Sequence, residues 1–281
     1  MAWNTLVSVD TLAAHLDDPD WIVFDCRFDL ADPDAGRLAW QRAHVPGARY
    51  AHLDEHLSGP VTPDSGRHPL PDPDGLASWL GRQGVHEAAQ VIAYDAGPGL
   101  FASRLWWLTR WLGHEAVAVL DGGLAAWASA GHRTEDDEPR LRPQRFVGHP
   151  GCIPAVDART LAGDPERYCI VDARAPHRFR GDEEPLDAVA GHVPGARNRP
   201  FDANLEDGRF KVPDVLREEW RELLALAGSE PLVAMCGSGV SACHHVLALA
   251  HAGVSGVALY PGSWSEWIRD PSRPVARGDG A

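Results

Sequence analysis

The chain reads as an α/β protein of two tandem domains, each a mainly parallel sheet flanked by helices. Three observations predict this. Short apolar, β-branched runs alternate with helical stretches, the pattern of strands buried on both faces by crossover helices. The 281 residues are enough for two ordinary domains with a core each. The chain also repeats itself. His44-Val45-Pro46-Gly47-Ala48-Arg49 returns as His192-Val193-Pro194-Gly195-Ala196-Arg197, and Val23-Phe24-Asp25-Cys26-Arg27 returns as Ile170-Val171-Asp172-Ala173-Arg174. Copies separated by about half the chain mean duplicated domains, not a solenoid of short repeats.

In the first half, residues 21–25, 91–94 and 117–120 are predicted strands, and 100–112 and 124–130 helices. In the second half, 169–172, 232–235 and 257–260 are predicted strands, and 215–227, 242–252 and 264–269 helices. Each strand is a short apolar run, and each helix a longer one with polar breaks. Residues 132–151 are polar and carry Pro and Gly, so they read as a linker between domains at 1–131 and 152–281. In both His-Val-Pro-Gly-Ala segments, Pro followed by Gly suits a type II turn with Gly at the positive-φ position. Presence in both halves argues for a structural role, as it does for the tryptophans near each C-terminal helix. Arg174, two residues from Asp172, is expected in a structural ion pair.

The strongest chemical signal is Cys236-Gly237-Ser238-Gly239-Val240-Ser241, between a predicted strand and a predicted helix. Two glycines let successive backbone N–H groups converge, and the helix N-terminus adds positive potential. A cysteine so placed is expected to act as a nucleophile. Two chemistries need an anion cradled over such a sulfur. A cysteine phosphatase needs an arginine six residues on, where this chain has Ala242, so that chemistry is disfavoured. Sulfur transfer through a cysteine persulfide remains.

At these residues the chain resembles two-domain members of the rhodanese family, implying two tandem rhodanese-like domains. The run from Cys236 to Ser241 is similar to the loop of 3-mercaptopyruvate sulfurtransferases, whereas thiosulfate-using rhodaneses carry an Arg-Lys pair directly after the cysteine. Several expectations follow. The first domain, with Asp95 at the position of Cys236, is catalytically silent. Cys236 is the nucleophile, and Gly237, Gly239, Val240 and Ser241 line the donor site. Arg178 binds the donor. Ser238, His68 (in Arg67-His68-Pro69-Leu70-Pro71) and Asp54 relay protons. The family's second arginine, in a Glu-Pro-Arg motif, is absent from Glu183-Glu184-Pro185-Leu186-Asp187. Arg199 is the substitute candidate, and Asp187 is expected to repel a donor carboxylate if it faces the cleft.

The resemblance implies a small anionic sulfur donor, 3-mercaptopyruvate before thiosulfate. It implies an acceptor that is cyanide or a thiol, such as thioredoxin or a small thiol, and no metal or organic cofactor. The alternative is a persulfide carrier or thiol-sensing module without efficient turnover. The net charge of −14 argues against nucleic acid and anionic membranes as partners. Five scattered cysteines and an N-terminus without a secretory pattern fit the reducing cytoplasm. Cys243, His244 and His245 are adjacent on a predicted helix and point in different directions, so no metal site is expected.

Overall fold

A computed structural model describes residues 2–164, 167–228 and 231–279. The chain separates into two compact units. The first holds residues 1–59, 71–152 and 207–210; the second holds residues 60–70, 153–206 and 211–281.

The first unit is built on five parallel strands, in the order Leu6–Val7, Val117–Leu120, Gln90–Tyr94, Trp21–Asp25 and Arg49–Tyr50. The three central strands are buried at every residue, as a sheet covered on both faces requires. The predicted helices settle at Ala102–Trp111 and Gly123–Ser129. Two further helices begin at side-chain caps: Ser8 accepts from the Thr11 amide, and Asp72 accepts from the Gly75 amide.

The second unit repeats the plan with four parallel strands, ordered Ala258–Leu259, Leu232–Met235, Cys169–Asp172 and Arg197–Asn198. Ala155 bridges Leu259 in parallel at the outer edge. Helices Pro213–Ala227 and Ser241–His251 match the expected segments to within two residues. The expected strand at 257–260 shortens to two residues, and the last helix ends early, at Trp267.

The repeat reaches into buried chemistry. In the first unit Arg27 Nη2 pairs with Asp25 at 2.7 Å and donates to the Ala43 carbonyl at 2.6 Å. In the second, Arg174 Nη2 pairs with Asp172 at 2.7 Å and donates to the Gly191 carbonyl at 2.7 Å. Each pair ties the end of a central strand to the start of a His-Val-Pro-Gly-Ala turn. Gly47 and Gly195 take φ of 75° and 80° there, so the turns have the conformation that the Pro-Gly step predicts.

Candidate active site

Strand register puts the chemistry at the carboxyl end of each sheet. Met235 pairs with Asp172 and Tyr94 with Asp25, so Cys236 and Asp95 are each the first residue beyond a central strand. After Cys236 the loop curls back over the sulfur. Gly239 sits at φ 77°, and its amide N–H points at Cys236 Sγ from 3.1 Å. Any Cβ on Gly239 would collide with the Pro261 carbonyl oxygen, so both backbone angle and space demand glycine.

The loop carbonyls are held by a neighbouring turn. The Trp264 amide donates to the Cys236 carbonyl at 3.0 Å, and the Ser265 amide to the Gly237 carbonyl at 2.9 Å. The Cys236 amide donates to Ser263 Oγ at 3.0 Å, and Ser263 passes its own proton to the Tyr260 carbonyl. Ser263 does this from φ 51°, a left-handed angle uncommon outside glycine. Cys236 and Ser238 are both buried, and Val240 caps the helix that Ser241 begins.

Residues 60–70 cluster with the second unit, which brings two side chains to this loop. His68 Nδ1 lies 2.7 Å from Ser238 Oγ, both groups buried. Arg67 reaches Gly237: a Cβ placed there would lie 3.0 Å from Arg67 Nη2 and 3.5 Å from Arg178 Nη2. Two guanidinium groups therefore crowd the residue directly after the cysteine.

An alternating ionic lattice supports them. Glu184 accepts from Arg178 at 2.7 Å and from Arg174 at 3.3 Å. Burial pushes the Glu184 carboxyl up, but the hydrogen bonds from Arg178 and the Leu186 amide, with both arginine charges, hold it below the usual glutamate range. Asp187 pairs with Arg67 through one oxygen and lies 3.5 Å from Arg178 Nη2 through the other. The expected repulsion is thus replaced by a bridge between two cations.

Of the predicted site residues, the structure brings Cys236, Gly237, Ser238, Gly239, Val240, Ser241, His68 and Arg178 together in one unit. Arg199 does not join them. Its guanidinium is taken up by Glu219 at 2.8 Å, the Ala203 carbonyl, Asn204 Oδ1 and the face of Trp220. Asp54 belongs to the first unit, where its amide donates to His52 Nδ1. Burial raises the Asp54 carboxyl, partly offset by His52. Arg67, Asp187 as a bridge and Ser263 were not foreseen; the only signal was that Arg67 precedes His68. Among the described residues there is no cluster of His, Cys, Asp or Glu able to hold a metal.

The equivalent loop of the first unit closes around a side chain of its own. Asp95 turns its carboxylate into its own loop, accepting from Gly97 and Gly99 at 3.0 Å, Phe101 at 2.9 Å and Ala102 at 3.3 Å. Burial raises the Asp95 carboxyl above the usual aspartate range, and the four amides offset part of that shift.

Comparison with known proteins agrees with this geometry. The rhodanese-like domain profile matches residues 8–130 and again 155–270. The chain belongs to the rhodanese family. It is 50% identical, over 99% of its own length and all of the relative's, to a Pseudomonas aeruginosa protein named "Probable 3-mercaptopyruvate sulfurtransferase". It is 38% identical, with 98% of each chain covered, to "Putative thiosulfate sulfurtransferase SseB" of Mycobacterium tuberculosis. The crystal structure of the 3-mercaptopyruvate enzyme SseA from Escherichia coli superposes with a TM-score of 0.79 at 32% identity, covering 94% of this chain and all of that one. As a tandem rhodanese with full-length relatives of one class, the protein is a sulfurtransferase.

Proposed function

We propose that the protein transfers sulfur from 3-mercaptopyruvate through a persulfide on Cys236. The observation that carries this is Cys236 Sγ under the Gly239 amide, with two guanidinium groups over the adjoining Gly237. The Cys236 thiolate attacks the donor's sulfur. The carbon–sulfur bond breaks, and its electron pair becomes the enolate of pyruvate. The enolate takes a proton from the His68–Ser238 pair and leaves as pyruvate. An acceptor thiolate, from thioredoxin or a small thiol, or cyanide, then attacks the outer sulfur and restores Cys236.

Arg178 holds the donor's carboxylate while Glu184 fixes its orientation. Donor treatment should add one sulfur to the Cys236 peptide by mass spectrometry, and Arg178→Ala should lower kcat/KM by about one to two decades. Sulfur found on Cys243 or Cys26 instead would refute the assignment. Steady turnover separates this enzyme from a persulfide carrier, which reacts once. Among the described residues no disulfide joins the five cysteines, in keeping with work in the reducing cytoplasm. No helix among the described residues is long and apolar enough to cross a membrane.

A further inference from the structure

We propose that Arg67 is the second cation of the donor site, paired with Arg178 across Gly237 and positioned by Asp187. The inference rests on the sulfur-transfer reading above and names the group that recognises a 2-oxo carboxylate donor. Leu186 and Asp187 carry no positive charge, and the guanidinium that stands beside Arg178 at Gly237 is that of Arg67.

Arg67 meets the geometric requirement. Its Nη2 is nearer to a Cβ on Gly237 than either terminal nitrogen of Arg178. Its backbone is tied to the same turn that ties the loop. The Arg67 amide donates to Ser265 Oγ at 3.0 Å, while the Ser265 amide holds the Gly237 carbonyl at 2.9 Å. Gly66 packs so closely that an added Cβ would lie 2.5 Å from the Gly262 carbonyl oxygen. Arg67 and Gly237 are thereby held in fixed register.

Asp187 supplies the orientation. Its buried carboxylate engages Arg67 Nη1 and approaches Arg178 Nη2, leaving Arg67 Nη2 over the loop. A guanidinium has five N–H donors in a rigid plane, so one edge can serve Asp187 while another serves a ligand. The Arg67 side chain is 26% exposed against 4% for Asp187, so the cation is open to ligand and the carboxylate is not.

The test compares alkylation of Cys236 by iodoacetate and by iodoacetamide, which differ in charge but little in size. Their rate ratio, read on the Cys236 peptide, reports the local positive potential independently of sulfur transfer. Arg67→Gln and Arg67→Met are expected to lower the ratio at least about threefold, and to raise KM for 3-mercaptopyruvate about tenfold with little change in kcat. Arg67→Lys should restore the ratio. The double variant Arg67→Gln/Asp187→Asn removes the uncovered carboxylate; it should keep the high KM if Arg67 touches the donor. Recovery of KM in the double variant, or an unchanged ratio in both single variants, would overturn the assignment. A ratio that moves in a protein unable to use 3-mercaptopyruvate would sink the donor reading and leave the cation pair standing.

Discussion

The amide N–H of Gly239 points at Cys236 Sγ from 3.1 Å, while the carbonyl of the same residue accepts the Cys243 thiol at 3.2 Å. The two peptide groups on either side of Gly239 Cα are thus engaged by the two cysteines, one held by the Cys243 thiol and the other turned onto Cys236 Sγ. The first prediction follows from that division of roles. Cys236→Ser abolishes sulfur transfer, whereas Cys243→Ser keeps most activity because a hydroxyl can still donate to the Gly239 carbonyl. Cys243→Val, which loses that donor, should lower kcat several-fold, about the effect of one misaligned amide. Rates for the three variants with a common acceptor check this; full activity in Cys236→Ser ends the mechanism.

The central strands and the loop were legible because their signals are local. Apolar runs such as Leu232–Met235 announce buried strands, and two glycines soon after a cysteine announce a turned loop. The edge strands Arg49–Tyr50 and Arg197–Asn198 were not legible, since two residues carry no periodicity. The support of the site was illegible for another reason. Arg67 reaches Asp187, and His68 reaches Ser238, across more than a hundred residues of sequence. Asp187 alone reads as a repulsive charge; only the fold shows that its charge is already shared by arginines. Arg199, read as a spare cation, is held by Glu219 and Trp220, neither of which its local sequence reveals.

Ser263 carries backbone strain for the benefit of its hydroxyl. Asp121-Gly122-Gly123, ahead of Trp127, parallels Pro261-Gly262-Ser263, ahead of Trp267, and Gly123 takes a similar φ of 55° without a Cβ. A left-handed angle costs a non-glycine residue about 1–2 kcal/mol. Ser263→Gly relieves that cost but removes the hydrogen bonds to Cys236 and Tyr260, worth about 1 kcal/mol each, so stability should change little. Activity should fall about tenfold, because the Cys236 amide loses its anchor. Paired measurement of denaturation midpoint and kcat tests this. Equal activity in Ser263→Gly would leave the strained angle without a catalytic purpose.

A buried polar cluster behind the helix Ser241–His251 gives the second unit a pH dependence. Asn204 Nδ2 lies 3.2 Å from His244 Nδ1 and 2.9 Å from His245 Nδ1, while Asn204 Oδ1 accepts from Trp220 Nε1 at 3.0 Å. His245 Nε2 faces the Arg199 carbonyl at 2.8 Å. The ring therefore accepts at Nδ1 and donates at Nε2, and a second proton would set donor against donor. Burial first, then the nearby His244 and Arg199 charges, push His245 from 6.5 down to about 3. Unfolded, the ring takes its proton near 6.5. Its contribution to stability is therefore full above that pH and is lost as pH falls toward 3, at about 1.4 kcal/mol per unit. His56 in the first unit, lowered to about 4 chiefly by burial, acts in the same direction. Urea denaturation between pH 7.5 and 4.5 should show a flatter loss of stability in His245→Gln than in the wild type. Parallel curves for the two proteins would mean that His245 is not the group being titrated.

The donor is the last prediction, and it turns on Gly237. A dianion such as thiosulfate gains from a cation on the loop itself, directly after the cysteine. Here that position is a glycine, and a Cβ on it would lie 3.0 Å from Arg67 Nη2, so a side chain there requires the Arg67 guanidinium to give way. The positive charge comes instead from two guanidinium groups standing over the loop, an arrangement suited to a carboxylate set one carbon or more from the transferred sulfur. We therefore expect 3-mercaptopyruvate to be used in preference to thiosulfate, in spite of the 38% identity to a relative named for thiosulfate. Gly237→Arg should not convert the enzyme. It should displace Arg67 and lower kcat/KM for 3-mercaptopyruvate by at least about tenfold, with no gain toward thiosulfate. Leu186 is 45% exposed, so Leu186→Arg is accommodated without steric cost and lowers KM only if Arg67 leaves the carboxylate incompletely held. Turnover of both donors at equal concentration by the wild type and Gly237→Arg decides the matter; faster turnover of thiosulfate by the wild type would reverse the preference.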